Sequence, residues 1–161
     1  MTTYVALLRG IMPGNPNMRS AKLKGVFESL GFKDVATVIG SGNVIFDASA
    51  ADPLKLEAKI EKAIPAQLGF TSATIIRSEA EIERLVKRNP FKGVKDERPN
   101  YLLVTFFQDR RKELCSVIDI SVGPNKATAH MSSIERKHGK AMTTRTWKTV
   151  NRIHTKMRER L

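Results

Sequence analysis

One cysteine is all the thiol in this chain of 161 residues. A lone Cys115 excludes an internal disulfide and leaves too little sulfur for a thiolate metal site. It falls within Leu114-Cys115-Ser116-Val117-Ile118, where it reads as a small, buried apolar side chain. Long apolar runs are missing too, since none approaches the roughly 20 residues that a membrane-spanning helix needs. The opening Met1-Thr2-Thr3-Tyr4 has no basic patch followed by an apolar stretch. No secretory signal is therefore read there, and the expected compartment is the cytoplasm. Catalytic signatures are equally scarce. His130, His138 and His154 lack metal-ligand spacing, and the helical His-Glu-x-x-His pattern is missing. There is no Gly-x-Ser-x-Gly elbow. The carboxylates fall mostly on predicted helix surfaces, so a paired acid–base site is not indicated. No metal and no cofactor is expected.

What the chain has in excess is positive charge, +12 overall. From Arg136 onward nine basic residues face only Glu159, which places +8 of that total in the tail. Clustered lysine and arginine gain affinity for phosphates by releasing counterions, so nucleic acid or another phosphate-bearing ligand is an expected partner. A solvated surface is the alternative. The apolar fraction of 41% and charged fraction of 27% are ordinary for a globular protein. The length fits one domain or two small, intimately packed ones.

The pattern along the chain centres on residues 35–46, two β-branched runs flanking Gly40-Ser41-Gly42-Asn43. That is a hairpin, apolar enough to lie inside a sheet covered on at least one face. Tyr4–Leu8 supplies a strand before it. A helix with Leu23, Val26, Phe27 and Leu30 on one face follows a loop rich in glycine and proline, and ends at Gly31. Asp52-Pro53 opens a second helix, expected to end or kink at Pro65, and residues 72–76 form a further strand. Leu30-Gly31-Phe32 and Leu68-Gly69-Phe70 punctuate the two halves alike. The order βαββαβ over residues 1–77 is ferredoxin-like. It sets strands one and three side by side, which brings the end of the first strand against the hairpin turn.

Residues 78–161 repeat the theme more loosely. A helix starts at Ser78, and Asn89-Pro90-Phe91 ends it. Tyr101–Phe107 is a strand, Asp109 caps a helix through Cys115, and residues 118–122 and 127–131 flank a second hairpin. A basic helix begins near Thr144. The predicted class is α+β, with two subdomains near 1–77 and 78–161.

Candidate site residues follow from this layout. Arg9, Gly10 and Gly14 lie in the first strand–helix loop, where the free amides of a helix N-terminus favour an anion and Arg9 can add a bidentate contact. Ser41, Gly42 and Asn43 add polar groups from the neighbouring turn. The alternative is that these glycines only permit tight turns, with Asn43 tolerating a positive φ. On the last helix Lys148, Arg152 and Lys156 recur every four residues, and Arg145 precedes them. Trp147, Val150, His154 and Met157 line another face of that helix, expected to be core. The βαββαβ order is shared with RNA-recognition modules, but their base-stacking aromatics are largely missing from strands one and three.

Leu7-Leu8-Arg9-Gly10-Ile11, Gly40-Ser41-Gly42-Asn43-Val44-Ile45-Phe46, Asn89-Pro90-Phe91 and Thr143-Thr144-Arg145-Thr146-Trp147-Lys148-Thr149-Val150 resemble, in order, the marks of a bacterial family catalogued as a domain of unknown function. Its motifs read LRGINVGG, QSGNVVF, NPF and TTRNWNTV. The resemblance implies two α+β subdomains, each like a ferredoxin fold, and no assigned catalytic residues. This chain departs from the pattern in three places. A loop lysine is lost between Ile11 and Asn17, Thr146 and Lys148 replace two asparagines, and the stretch before the last motif is short. Three functions remain open: a binding protein for nucleic acid or another phosphate-bearing ligand, a small-molecule enzyme with its site between the subdomains, and, if neither ligand class binds, a structural or protein-interaction module. Oligomeric state is not readable.

Overall fold

The computed structural model describes every residue except 41, 110, 111, 122, 124 and 161. The first sheet is built from β1 (Thr2–Leu8), β2 (Lys33–Thr37), β3 (Asn43–Ala48) and β4 (Thr74–Ser78) in the order β2-β3-β1-β4, with all neighbours antiparallel. With α1 (Ser20–Ser29) and α2 (Pro53–Leu68) in the crossovers, this is the ferredoxin-like arrangement. Leu7 pairs with Asn43, so the end of β1 does meet the hairpin turn.

The apolar runs of β1 and β3 have a direct cause. Alternate side chains point to opposite faces, and both faces are covered. Tyr4, Ala6 and Leu8 pack with Phe46 against Phe27 and Ile60 of α1 and α2. Val5 and Leu7 pack with Ile45 on the other face against Phe106, Val150 and Ile153 from the second half.

That second half holds α3 (Glu79–Arg88), β5 (Asn100–Phe107), β6 (Leu114–Asp119), α4 (Lys126–His138), β7 (Met142–Thr146) and α5 (Trp147–Glu159). Its sheet runs β6-β5-β7, antiparallel throughout. Because β6 and β7 flank β5 and are joined through α4, the unit is a single split βαβ, half of the ferredoxin-like pattern. The fold is therefore α+β with two sheets, and the second is the looser of the two.

Local chemistry explains most boundaries. Asp52 accepts a hydrogen bond from the Leu54 amide and Pro53 opens α2. Ser78 and Glu81 form a reciprocal capping box on α3, and Asn89 closes that helix at φ 46°. Gly31 and Gly69 take φ of 85° and 80°, which is why the Leu-Gly-Phe steps end helices.

Several expectations are corrected. The helix at 52–68 runs through Pro65 to Leu68, and Leu54 is exposed. The strand expected at 72–76 begins at Thr74. Of the helix expected at 109–115, positions 110 and 111 lie outside the described residues, and Leu114 and Cys115 open β6, where Cys115 pairs with Val104. Burial pushes the half-buried Cys115 thiol above its ordinary pKa. The strand expected at 127–131 is the first part of α4. Its alanines favour a helix, and Ala127 and Ile134 share the buried face seven residues apart. The last helix begins at Trp147, because the β-branched run Thr143–Thr146 pairs with β5 as β7. No described helix is long and apolar enough to cross a membrane.

Candidate functional site

Thr143-Thr144-Arg145-Thr146 forms the outer strand of the second sheet, and Arg145 turns inward from it. All five guanidinium N–H groups find acceptors. Nε donates to Asn43 Oδ1 at 2.6 Å, and Nη1 donates to Thr143 Oγ1 at 2.6 Å and to the Thr144 carbonyl at 3.0 Å. Nη2 donates to the carbonyls of Leu8 at 2.8 Å and Gly42 at 3.3 Å. Every acceptor is neutral, and no described carboxylate lies within ion-pair distance. Burial pushes the pKa of Arg145 down to about 10. The result is a buried positive charge held between the two sheets by hydrogen bonds alone.

Asn43 is fixed from the other side, donating through Nδ2 to the Val38 carbonyl at 3.0 Å. The positive φ expected at Asn43 is absent. It falls on Gly42 at 85°, while Asn43 enters β3 fully buried. Gly42 is also crowded: a Cβ there would sit 2.6 Å from Ile11 Cγ1 and 3.1 Å from the Leu8 carbonyl oxygen.

In front of Arg145 lies a cleft of about 450 Å³. Its first wall is Leu8-Arg9-Gly10-Ile11, its floor is residues 142–146 with Thr149, and its second wall is the α4 face Thr128, Met131, Ser132 and Glu135. The N-terminus of α5 opens onto it, with Thr146 capping the Thr149 amide. The partial positive charge of that helix end adds to that of Arg145. Across the cleft, Arg9 Nη2 lies 2.7 Å from Glu135 Oε2, and Nη1 donates to the Met142 carbonyl at 3.1 Å. Glu135 is the sole carboxylate among the described lining residues, and no histidine or cysteine joins it. Among the described residues no cluster of three potential metal ligands exists. The arrangement can hold and orient an anion.

The predicted residues separate into three groups. Arg9, Gly10 and Arg145 line the cleft, and Gly42 and Asn43 stand directly behind it, bound to Arg145. Gly14 is exposed and outside the lining, and Ser41 is outside the described residues. Lys148, Arg152 and Lys156 lie on the exposed side of α5, also outside the lining. The helix N-terminus at the cleft belongs to α5; no residue of α1 takes part. Ile153, outside the expected apolar face, is core, whereas His154 and Trp147 are only partly buried. Trp147 meets Phe91 edge-on with ring centroids 5.2 Å apart, which joins the Asn-Pro-Phe motif to the last one. The basic tail is less free than its composition suggests. Arg145 is buried, and the Arg160 side chain is buried against Asp34 and Asp47.

Thr128, Ser132 and Glu135 are not among the sequence candidates: the expected strand covers only residues 127–131, and α4 instead runs from Lys126 to His138. Their spacing with Met131, at positions 128, 131, 132 and 135, is the signal that could have placed them on one helix face.

Residues 1–132 match the family model described as "Protein of unknown function (DUF1697)". Among solved structures the chain is similar to a conserved bacterial protein, SP0830 from Streptococcus pneumoniae. That likeness has a TM-score of 0.76 and 20% identity, covering 98% of this chain and 99% of the other. It establishes the fold. No curated protein matches. The chain belongs to the DUF1697 family.

Proposed function

We propose that this protein, a member of a family of unknown function, binds a small phosphate-bearing molecule in the cleft between its two sheets. The observation that carries the reading is Arg145: a buried cation with neutral acceptors only, at the back of an open cavity. A charge removed from water without a counterion is costly, and an anion entering the cleft would supply one. Two further features support the same sign. The N-terminus of α5 faces the cavity, and the amides of Gly10 and Ile11 make no hydrogen bond among the described residues. The volume of about 450 Å³ suits a mononucleotide or a sugar phosphate and excludes a duplex.

The enzyme alternative shares this cleft. The lining favours binding over turnover, since among its described residues Glu135 is the one carboxylate and no histidine or cysteine stands beside it as an acid–base or nucleophilic partner. The nucleic-acid form of the reading rests on Lys148, Arg152 and Lys156, which are exposed and make no ion pair with a described residue. The boundary near residue 77 goes with this reading, because β4 closes the first sheet at Ser78 and the cleft lies between the units.

The test is thermal unfolding with inorganic phosphate, nucleoside monophosphates and sugar phosphates. A ligand at 100 times its Kd stabilises by about 2.7 kcal/mol, which raises the Tm by roughly 5–11 °C for a chain of this size. Arg9→Gln should reduce the rise without lowering the unliganded Tm appreciably, because Arg9 is part-exposed. A pocketed ligand should tolerate added salt, whereas a polyanion bound to α5 should be displaced by it. No rise with any phosphate compound would end the reading.

A further inference from the structure

We propose that Glu135 is a built-in competitor for the anionic group of the cleft's ligand, occupying Arg9 until that group displaces it. The inference rests on the cleft being a phosphate site. It adds which residue grips the anion and what holds the grip shut.

The main chain of Arg9 is anchored to the first sheet. Its amide donates to the Ala73 carbonyl at 3.0 Å, and its own carbonyl accepts from Ser72 Oγ at 2.8 Å. From this fixed base the side chain crosses the cleft to α4 and β7. Nη1 is braced on the Met142 carbonyl at 3.1 Å and Nη2 meets Glu135 Oε2 at 2.7 Å. A guanidinium has five N–H groups, so donors remain for a second contact to any anion brought alongside. The brace on Met142 does not involve Glu135 and would persist when the carboxylate leaves.

Glu135 has somewhere to go. Its other oxygen, Oε1, lies 4.0 Å from Lys140 Nζ, which is 83% exposed. Exchange therefore leaves both charges partnered: the ligand's anion on Arg9, and Glu135 on Lys140. The Arg9–Glu135 pair is itself 26% and 33% exposed, a range in which ion pairs are weak and solvent-screened. A phosphate presents three oxygens to the same guanidinium and can engage two of its donors. The hold of α4 on the rest of the protein is also light. Ala127 packs with Leu103 and Ile118, and Ile134 with Phe107 and Met142, in two small clusters apart from the main core. An α4 held in this way can yield at Glu135 without disturbing the sheets.

The experiment is calorimetric titration of the full chain with inorganic phosphate and with a nucleoside monophosphate. Glu135→Gln should bind about two- to fivefold more tightly than the parent, the factor to which an exposed ion pair's strength converts. Lys140→Gln should bind more weakly, because Glu135 loses its second partner. In an Arg9→Gln background the Glu135 substitution should have no effect. Glu135→Asp draws the carboxylate back by one methylene and should shift affinity in the same direction as Gln, which covers poor folding of the first variant. If the parent binds and neither Glu135 variant binds more tightly, the competitor is refuted and the phosphate site stands. If neither parent nor variants bind either probe, the phosphate site falls and this inference falls with it.

Discussion

Replacing Gly42 with alanine tests the geometry behind the cleft more directly than any change in its lining. The backbone there has φ of 85°, a region that costs an L-residue with a side chain about 1–2 kcal/mol. The new methyl would also fall 2.6 Å from Ile11 Cγ1, 3.0 Å from Ile11 Cβ and 3.1 Å from the Leu8 carbonyl oxygen. Forcing a methyl into such a contact typically costs about 1–3 kcal/mol. Together these predict a loss of about 2–5 kcal/mol, or roughly 4–20 °C in Tm for a chain of this length. The tightest contact can be tested by itself. Ile11→Ala removes Cγ1 but keeps Cβ, so against the Ile11→Ala single variant Gly42→Ala should cost less than in the parent, while the backbone part and the contacts to Ile11 Cβ and the Leu8 carbonyl remain. Urea unfolding followed by circular dichroism reads each variant as a shift of midpoint at unchanged slope. A Gly42→Ala variant within about 0.5 kcal/mol of the parent, the range of an ordinary surface change, would refute the reasoning. No loss from Gly42→Ala in the Ile11→Ala background would remove its backbone half.

Arg145→Met leaves Asn43 Oδ1 and the carbonyls of Leu8 and Gly42 without their guanidinium donor, and should cost about 3–5 kcal/mol in urea unfolding. A loss under about 1 kcal/mol would mean that relief of the buried charge offsets the broken bonds. Thr146→Ala removes the oxygen that accepts from the Thr149 amide at 3.2 Å, and should destabilise by about 1 kcal/mol; no change in unfolding midpoint would show α5 to be capped otherwise. Changing Lys148, Arg152 and Lys156 together to Gln should leave stability within about 1 kcal/mol per residue, since all three are exposed. If α5 tracks phosphates, the same triple variant should weaken single-stranded DNA binding evenly across sequences and flatten its salt dependence; unchanged binding and slope would make the row a solvated face.

The two halves of the chain differ in how readily their sequence discloses them, and the difference is physical. In the first half, local and long-range signals coincide. Asp52-Pro53 and Gly69 cap α2, and β1 and β3 are apolar on both faces because two layers cover them. In the second half they conflict. The threonines of β7 run directly into α5, so no loop marks where the strand ends and the helical period begins. Ala127-Thr128-Ala129-His130-Met131 has alternating small residues that mimic a strand until burial at Ala127 and Ile134 reveals the helix. Asn43 illustrates a subtler failure. Its position next to a glycine invited a backbone explanation, whereas its side chain bridges Val38 and Arg145.

Arg145 was the residue least legible from composition, because a charge count cannot distinguish a solvated cation from a buried one. Its acceptors come from positions 8, 42, 43, 143 and 144, so its environment exists only when the two sheets have docked. Three of the four sequence motifs meet at this guanidinium. The fourth reaches the same strand–helix corner through Phe91 and Trp147. The motifs are therefore first the parts of one junction. The cleft adjoins that junction: the cation buried to join the sheets lies beside the N-terminus of α5 and the Gly10–Ile11 loop, at a place where the halves part. Binding there would stabilise the docked state selectively, since the separated halves lack the site.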